Sequence, residues 1–97
     1  MRNWRKRMKI VELEHGENRH VKLKIHSCKQ EDFYIIDAKY SLLRCGDEVP
    51  EEEGTCNIHD KVIDTVINPK RTGTYHLKIT YYILDETLID VIEVKVT

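Results

Sequence analysis

A proline, a glycine and a tyrosine late in the chain mark a corner between two stretches of alternating apolar and polar residues. Pro69 cannot donate a backbone hydrogen bond to a sheet ladder, so a strand that precedes it must end there. Gly73 permits backbone conformations that other residues resist. Tyr75 then enters the next stretch with an apolar ring directed inward and a hydroxyl that needs a hydrogen-bond partner. The segment therefore predicts a turn between two strands, the second of which buries the ring of Tyr75.

Apolar and polar residues alternate with a period of two through most of the chain, which is typical of β-strands that bury one face. No window of 11 or more residues shows the three-and-four spacing of an amphipathic helix. We therefore predict an all-β sandwich of seven or eight strands. The predicted strands are residues 9–14, 20–26, 33–43, 55–58, 62–67, 74–84 and 87–96, with room for a short edge strand within residues 44–54.

The predicted strand faces separate four inward tyrosines from one outward tyrosine. Tyr82 is predicted to face solvent beside His76 and Lys78, which makes it a candidate for contact with a partner. The tyrosines predicted to face the core are Tyr34, Tyr40, Tyr75 and Tyr81, and the first two are predicted to share a face with Ile36, Ala38 and Leu42.

The charge of the chain is unevenly distributed. Its length of 97 residues suits one domain, and its net charge of −1 does not by itself indicate a nucleic-acid or membrane partner. Residues 1–7 are predicted to form a basic arm before a domain at residues 8–97, and residues 47–53 carry five acids and no base. Either both segments are solvated, or they contact copies of the chain or another partner. The candidate interaction residues in these segments are Trp4, Arg5, Arg7, Glu51, Glu52 and Glu53.

Several classes of partner are disfavoured by the sequence. No stretch approaches the roughly 20 apolar residues that span a bilayer, so we expect no membrane partner. Three cysteines at irregular spacing argue against a secreted disulfide framework and for free thiols in a reducing compartment. The arm interleaves Trp4 with basic residues that could follow a phosphate backbone. The rest of the chain is net acidic, which argues against nucleic acid.

Cysteine and histidine recur at spacings that zinc can use. Cys56 and His59 could close around a turn, and Cys28 follows His26 by two residues on one strand face. No paired Cys-x-x-Cys knuckle occurs, and the alternative is that unpaired cysteines are small buried hydrophobes. We therefore predict no metal and no cofactor, with Cys28, Cys56 and His59 as the zinc candidates.

No motif for catalysis stands out. The chain has no Gly-x-Ser-x-Gly elbow and no phosphate-binding glycine loop. A spatial cysteine–histidine pair is the route to nucleophilic catalysis that the sequence leaves open. We expect the carboxylates of residues 47–53 to lie in a flexible, solvated loop with ordinary pKa values, which a general acid cannot have. The chain is predicted not to be an enzyme and to have no small-molecule substrate.

The corner residues resemble those of the immunoglobulin-like (Ig-like) superfamily, whose pattern runs from an apolar strand through a proline to Gly-x-Tyr-x-Cys. The positions that match are Val62, Ile67, Pro69, Gly73 and Tyr75. The departures are Leu77 in place of the second cysteine, Arg71 in place of the usual acid, and Asp64 at an expected apolar position. The resemblance implies an Ig-like antiparallel β-sandwich without the disulfide of antibody domains.

Residues 33–97 also look like the small Ig-like domains in tail and baseplate proteins of long-tailed phages that infect Gram-positive bacteria. The shared features are the alternating segment 36–40, a charged loop, the Gly-x-Tyr corner and a closing hairpin. This resemblance implies a non-enzymatic structural module of a phage or prophage virion, which self-associates or docks, located in the virion or the host cytoplasm. The alternative is a small bacterial cytoplasmic adaptor or regulatory domain that binds another protein, with or without a stabilising zinc.

Overall fold

Eight β-strands and no helix make up the part of the protein that the computed structural model describes, residues 9–25 and 33–97. The predicted all-β class with seven or eight strands is confirmed. Within these ranges no helix is long and apolar enough to cross a membrane. The strands are β1 (Lys9–Leu13), β2 (Arg19–Lys24), β3 (Ile35–Arg44), β4 (Glu52–Thr55), β5 (Asn57–His59), β6 (Val62–Ile67), β7 (Gly73–Ile83) and β8 (Glu86–Val96).

The strands form two sheets. One has five strands in the order β1-β8-β7-β3-β4, and the other has three in the order β2-β6-β5. Neighbouring strands are antiparallel, as predicted, except that β1 runs parallel to β8. These two strands come from opposite ends of the described chain, so no hairpin fixes their relative direction. The five-stranded sheet is therefore mixed.

The core lies between the two sheets and is filled by alternate residues of their strands. In β7 every second side chain from Tyr75 to Ile83 is fully buried. β2 and β6 supply the opposing layer, because Val21, Leu23 and Ile63 are buried in the same core cluster as the inward residues of β7 and β8. The hydroxyl of Tyr81 is satisfied inside this core, since it donates to Asp90 Oδ2 at 3.1 Å. The period-two pattern in the sequence thus corresponds to one buried face per sheet.

The start of β3 differs from its predicted face. Tyr34 and Ile36 were expected to point inward, but 82% of Tyr34 and 66% of Ile36 are exposed, while Phe33 and Ile35 are buried. The cause is a shift in pairing with β7 between Ile35 and Asp37, where an extra residue forms a β-bulge. A one-residue shift exchanges the two faces of a strand. Beyond the bulge Ala38 and Leu42 are buried as predicted, and Tyr40 is half-buried.

The strand predicted at residues 55–58 is divided between the two sheets. Thr55 ends β4, which pairs with β3, and Asn57 begins β5, which pairs with β6. Cys56 lies between them, and its backbone N–H donates to Ala38 O at 2.9 Å. One residue therefore carries the chain from one sheet to the other, and the alternation in sequence passes through it without interruption.

Candidate protein-binding surfaces

The predicted corner is present before β7. The Tyr75 side chain is fully buried, and its hydroxyl accepts a hydrogen bond from Arg71 N at 3.3 Å. The same hydroxyl donates to Glu51 Oε1 at 2.9 Å. Pro69 is buried, and its carbonyl accepts from Gly16 N at 2.8 Å. The corner is thus tied both to its own backbone and to two distant loops.

Glu51 is part of this corner. Its carboxylate accepts from Lys70 N at 2.8 Å and from Arg71 Nε at 3.0 Å, in addition to Tyr75. Burial by itself raises the pKa of Glu51, but the hydrogen bonds from Lys70 N, Tyr75 and Arg71 outweigh it and lower the pKa. Arg71, which stands where the Ig-like pattern has an acid, also pairs with Asp47.

Part of the acidic segment is therefore held by specific partners, whereas the sequence predicts a solvated loop. Glu52 also faces inward, where its carboxylate accepts from Asn68 N at 2.8 Å. Glu53 is exposed on the other face of β4, opposite Ser41. Of the three glutamates predicted to meet a partner, Glu53 is the one that the fold presents to solvent, while Glu51 and Glu52 serve the corner.

Tyr82 lies on the outer face of the five-stranded sheet, as predicted, between Thr87 on β8 and Asp37 on β3. It belongs to a row of apolar side chains that crosses four strands of this face diagonally. We call this row the apolar stripe. Its members, with the exposed fraction where it is high, are Ile36 (66%), Tyr82, Ile89 (41%), Val91 and Ile10 (55%).

Register places the members of the apolar stripe beside one another. Ile89 is opposite Thr80, one outward position along from the Tyr82–Thr87 pair, and Val91 is the next outward residue of β8. Ile10 is opposite Glu93, again one outward position further. Ile36 is the bulge residue beside the Asp37–Tyr82 pair. Diagonal neighbours at this spacing are within reach of large side chains.

Charged side chains of both signs surround the apolar stripe. They occupy outward positions of all five strands, and the two signs are intermixed along and across the strands. The acids are Glu12, Asp37, Glu53 and Glu93, and the lysines are Lys39, Lys78 and Lys95, with His76 beside them.

The sequence contained a signal for the stripe that the strand assignment did not use. Strict alternation fails in β8, where Leu88, Ile89, Val91 and Ile92 are apolar on both faces. A strand that is apolar on both faces is typical of a sheet covered on both sides. Ile36 could not be found in this way, because its orientation depends on the bulge.

The outer face of the three-stranded sheet is more basic. His20, Lys22 and Lys24 of β2 are exposed there. Asp64 on β6, at a position that the Ig-like pattern keeps apolar, is 8% exposed and lies 3.1 Å from His20 Nδ1 through its Oδ1. The departure from the pattern is thus accommodated on an outer face rather than in the core.

The zinc candidates are only partly within the described residues. Cys56 is half-buried against the core, and burial raises the pKa of its thiol to about 11, which is the environment of a small hydrophobe rather than of a thiolate ligand. His59 is exposed at the end of β5. No group of three or more potential ligands forms within residues 9–25 and 33–97. Cys28 lies outside these ranges, as do Trp4, Arg5 and Arg7.

One cysteine–histidine pair does form, although the sequence did not specify which. Cys45 Sγ, in the turn after β3, is 4.0 Å from His76 Nδ1 on β7. Both side chains are exposed, so water surrounds the pair. His76 is opposite Glu93 in the register of β7 and β8, which places the pair at the margin of the stripe's charged surroundings.

Comparison with known proteins gives a likeness of fold. No protein-family model matches the sequence, and no curated protein matches it. A crystal structure of an engineered protein from the Northeast Structural Genomics Consortium matches 90% of this chain with a TM-score of 0.69 and 11% sequence identity. The chain corresponds to 18% of the length of that engineered protein. At this identity the match concerns the fold alone.

Proposed function

We propose that this chain is an Ig-like β-sandwich that works as a non-enzymatic assembly module, in which copies bind each other through the outer face of the five-stranded sheet. The strand order supports the Ig-like part of the proposal. β2-β6-β5 corresponds to strands B, E and D of such sandwiches, and β8-β7-β3-β4 corresponds to G, F, C and C′. The tyrosine corner then lies at the start of strand F, where Ig-like domains have it.

The apolar stripe is the observation that carries the proposed binding surface. Single exposed apolar residues are ordinary on a protein surface, but a row that crosses four adjacent strands is a contiguous patch. Apolar patches with a polar rim mark interaction sites. Tyr82, near the end of the middle strand β7, contributes an aromatic ring of the kind that dominates binding energy at interfaces.

The mixture of charges around the stripe supports a second copy as the occupant. A symmetric interface brings one patch against itself, so a patch of uniform charge would repel its own copy. The four acids and three lysines on this face allow opposite charges to meet across a two-fold axis.

We extend the proposal to the origin of the chain, as a tail, baseplate or head–tail component of a phage or prophage virion. Its support is the resemblance of residues 33–97 to the Ig-like domains of such proteins. Segment 36–40, the charged loop and the corner are the features that carry it. Tail, portal and capsid genes next to the gene for this chain are the expected genomic finding, and a neighbourhood of regulatory genes would favour the adaptor instead.

Sedimentation equilibrium of the full chain over a range of concentrations tests the assembly. We expect a reversible oligomer, and we expect Ile36→Lys to shift it toward monomer, because a lysine at a 66% exposed position does not disturb the core but charges the stripe. A monomer at all concentrations would contradict self-association and favour a foreign protein as the occupant of the face.

A further inference from the structure

The three-stranded sheet has an open edge at β2. Within the described residues, β2 pairs with β6 on one side and with no strand on the other. Constant-type immunoglobulin sandwiches have a four-stranded sheet in which strand A lies beside strand B. Here the first strand lies beside β8 instead, in the other sheet. The position next to β2 is therefore the place of a fourth strand that residues 9–25 and 33–97 do not fill.

The edge offers both backbone groups and a pattern of side chains. A strand that pairs on one side directs the N–H and C=O groups of alternate residues away from the sheet, where another strand can bind them. His20, Lys22 and Lys24 project from the outer face at intervals of about 6.8 Å, and Val21 and Leu23 project into the core between them. An added strand would meet a basic row on one face and the margin of the core on the other.

Among the described residues, the acids near this row lower its net charge but form no ion pair with its two lysines. Asp64 is opposite Lys22 in the register of β2 and β6, but it is nearly buried and its Oδ1 is hydrogen-bonded to His20. Arg19, at the start of β2, is paired with Glu17. The exposed lysines Lys22 and Lys24 have no ion pair with a described residue, and they lie on the strand that forms the edge.

The charges disfavour two occupants. If two copies paired through β2, the lysines of one copy would lie near those of the other, and like charges on adjacent strands are destabilising. Residues 1–7 of this chain carry four basic residues and no acid, so they share the sign of the edge. Strand addition in trans by a segment of another protein is the arrangement that the charges favour.

We propose that the β2 edge binds an extended acidic segment of another protein as a fourth strand. Aspartate or glutamate at alternate positions of that segment faces His20, Lys22 and Lys24, and apolar residues between them lie over the margin of the core beside Val21 and Leu23. Backbone hydrogen bonds provide affinity, and the alternating acids provide selectivity. The site is on the opposite sheet from the apolar stripe, so it does not depend on the proposed self-association.

A synthetic peptide tests this proposal. The probe is a capped nine-residue peptide in which glutamate alternates with valine and threonine, and the control has lysine in place of each glutamate. NMR titration of the full chain labelled with ¹⁵N should show the largest shifts at β2, and alternate β2 amides should exchange more slowly with solvent when the peptide is bound. The lysine peptide should not bind.

Charge reversal on β2 and methylation of the peptide backbone distinguish strand addition from charge attraction between the peptide and the lysines. Lys22→Glu/Lys24→Glu should weaken binding of the glutamate peptide by about tenfold or more and should allow the lysine peptide to bind, which also shows that the variant is folded. Two further glutamate peptides carry N-methyl groups, one at the odd-numbered amides and the other at the even-numbered amides. In an added strand only one of these two sets of amides points toward β2, so methylation of that set alone should abolish binding.

Three results would overturn the proposal. The first is that the glutamate peptide does not bind. The second is that the peptide binds equally well whichever alternate set of its amides is methylated, which would mean that charge alone attracts it. The third is that the shifts fall on the five-stranded sheet or that the β2 edges pair with each other.

Discussion

Tyr75 and Glu51 connect the corner before β7 to the loop before β4, although they lie 24 residues apart in the sequence. The buried Tyr75 hydroxyl both accepts from the Arg71 backbone and donates to the Glu51 carboxylate. Glu51 in turn accepts from the Lys70 backbone and from the Arg71 side chain. A buried hydroxyl with both partners in place contributes modestly to stability, and removing it takes an acceptor from Arg71 N and one of three hydrogen bonds from Glu51.

Replacing Tyr75 with phenylalanine should therefore destabilise the fold. Tyr75→Phe keeps the buried ring but removes the hydrogen bonds to Arg71 N and Glu51, and we expect a loss of about 1–2 kcal/mol in the free energy of unfolding. Urea denaturation monitored by circular dichroism measures this loss. Tyr34→Phe is the matched control, because Tyr34 is 82% exposed and should change stability by less than about 0.5 kcal/mol. Equal effects of the two substitutions would contradict the role of the corner.

The lowered pKa of Glu51 makes part of the stability depend on pH. Because folding lowers this pKa, the carboxylate stabilises the fold fully above the unfolded value of about 4.3, and the stabilisation is lost as the pH falls through the folded pKa. Glu51→Gln should be less stable than the wild type at pH 7, and the difference should shrink below about pH 4. Denaturation curves of both proteins from pH 3 to pH 7 measure it. A difference that is the same at all pH values would show that the charge of Glu51 is unimportant.

The turn into β7 depends on the backbone of Gly73. Its backbone φ of 122° is one that residues other than glycine rarely adopt, and a Cβ there would lie 3.2 Å from Arg44 Nη2. Arg44 Nε also donates to Thr72 O, so moving the guanidinium would disturb that bond. We expect Gly73→Ala to cost about 1–3 kcal/mol in the free energy of unfolding.

Gly46→Ala separates the two causes of that cost. Gly46 also has a positive φ, of 94°, but a Cβ there would meet nothing within 4 Å. Gly46→Ala should be destabilised only by the strained backbone conformation. Its loss in the free energy of unfolding, measured by thermal or urea unfolding, should therefore be smaller than that of Gly73→Ala. If Gly46→Ala were the more destabilising of the two, the contact between residue 73 and Arg44 would have no energetic weight.

The sequence predicts a strand correctly where a run of alternating apolar and polar residues lies within a single strand without a bulge. β6 and β7 fit this case, and their corner could be placed because proline, glycine and tyrosine each act locally. β3 did not fit, since the bulge after Ile35 is set by pairing with β7 and has no local signature. The change of sheet at Cys56 was also hidden, because an unbroken alternation can pass from one sheet to the other.

The candidate surfaces also divide into features that local sequence sets and features that the pairing of distant strands sets. Tyr82 could be assigned to an outer face from its position in an alternating strand. The apolar stripe could not be assembled from sequence, because it joins residues of four strands whose order is a property of the sheet. The sequence predicts solvated carboxylates at Glu51 and Glu52, because their partners, the corner backbone and Tyr75, are distant in sequence.

The molecule as a whole presents two outer faces with different chemistry. The five-stranded sheet carries the apolar stripe within charges of both signs, and the three-stranded sheet carries a basic row at an open edge. In the proposed account the first face binds copies of the chain and the second binds an acidic strand of another protein. A small sandwich with these two surfaces would attach another protein to an oligomer of this chain.

Solution mass of two matched lysine variants tests the proposed assembly most directly. Ile89 and Val66 are both 41% exposed, but Ile89 belongs to the apolar stripe and Val66 lies on the outer face of the three-stranded sheet. We predict by light scattering that the wild type and Val66→Lys form the same oligomer and that Ile89→Lys is a monomer with unchanged circular dichroism. An oligomer that persists in Ile89→Lys, or one that is lost only in Val66→Lys, would contradict the assembly through the five-stranded sheet.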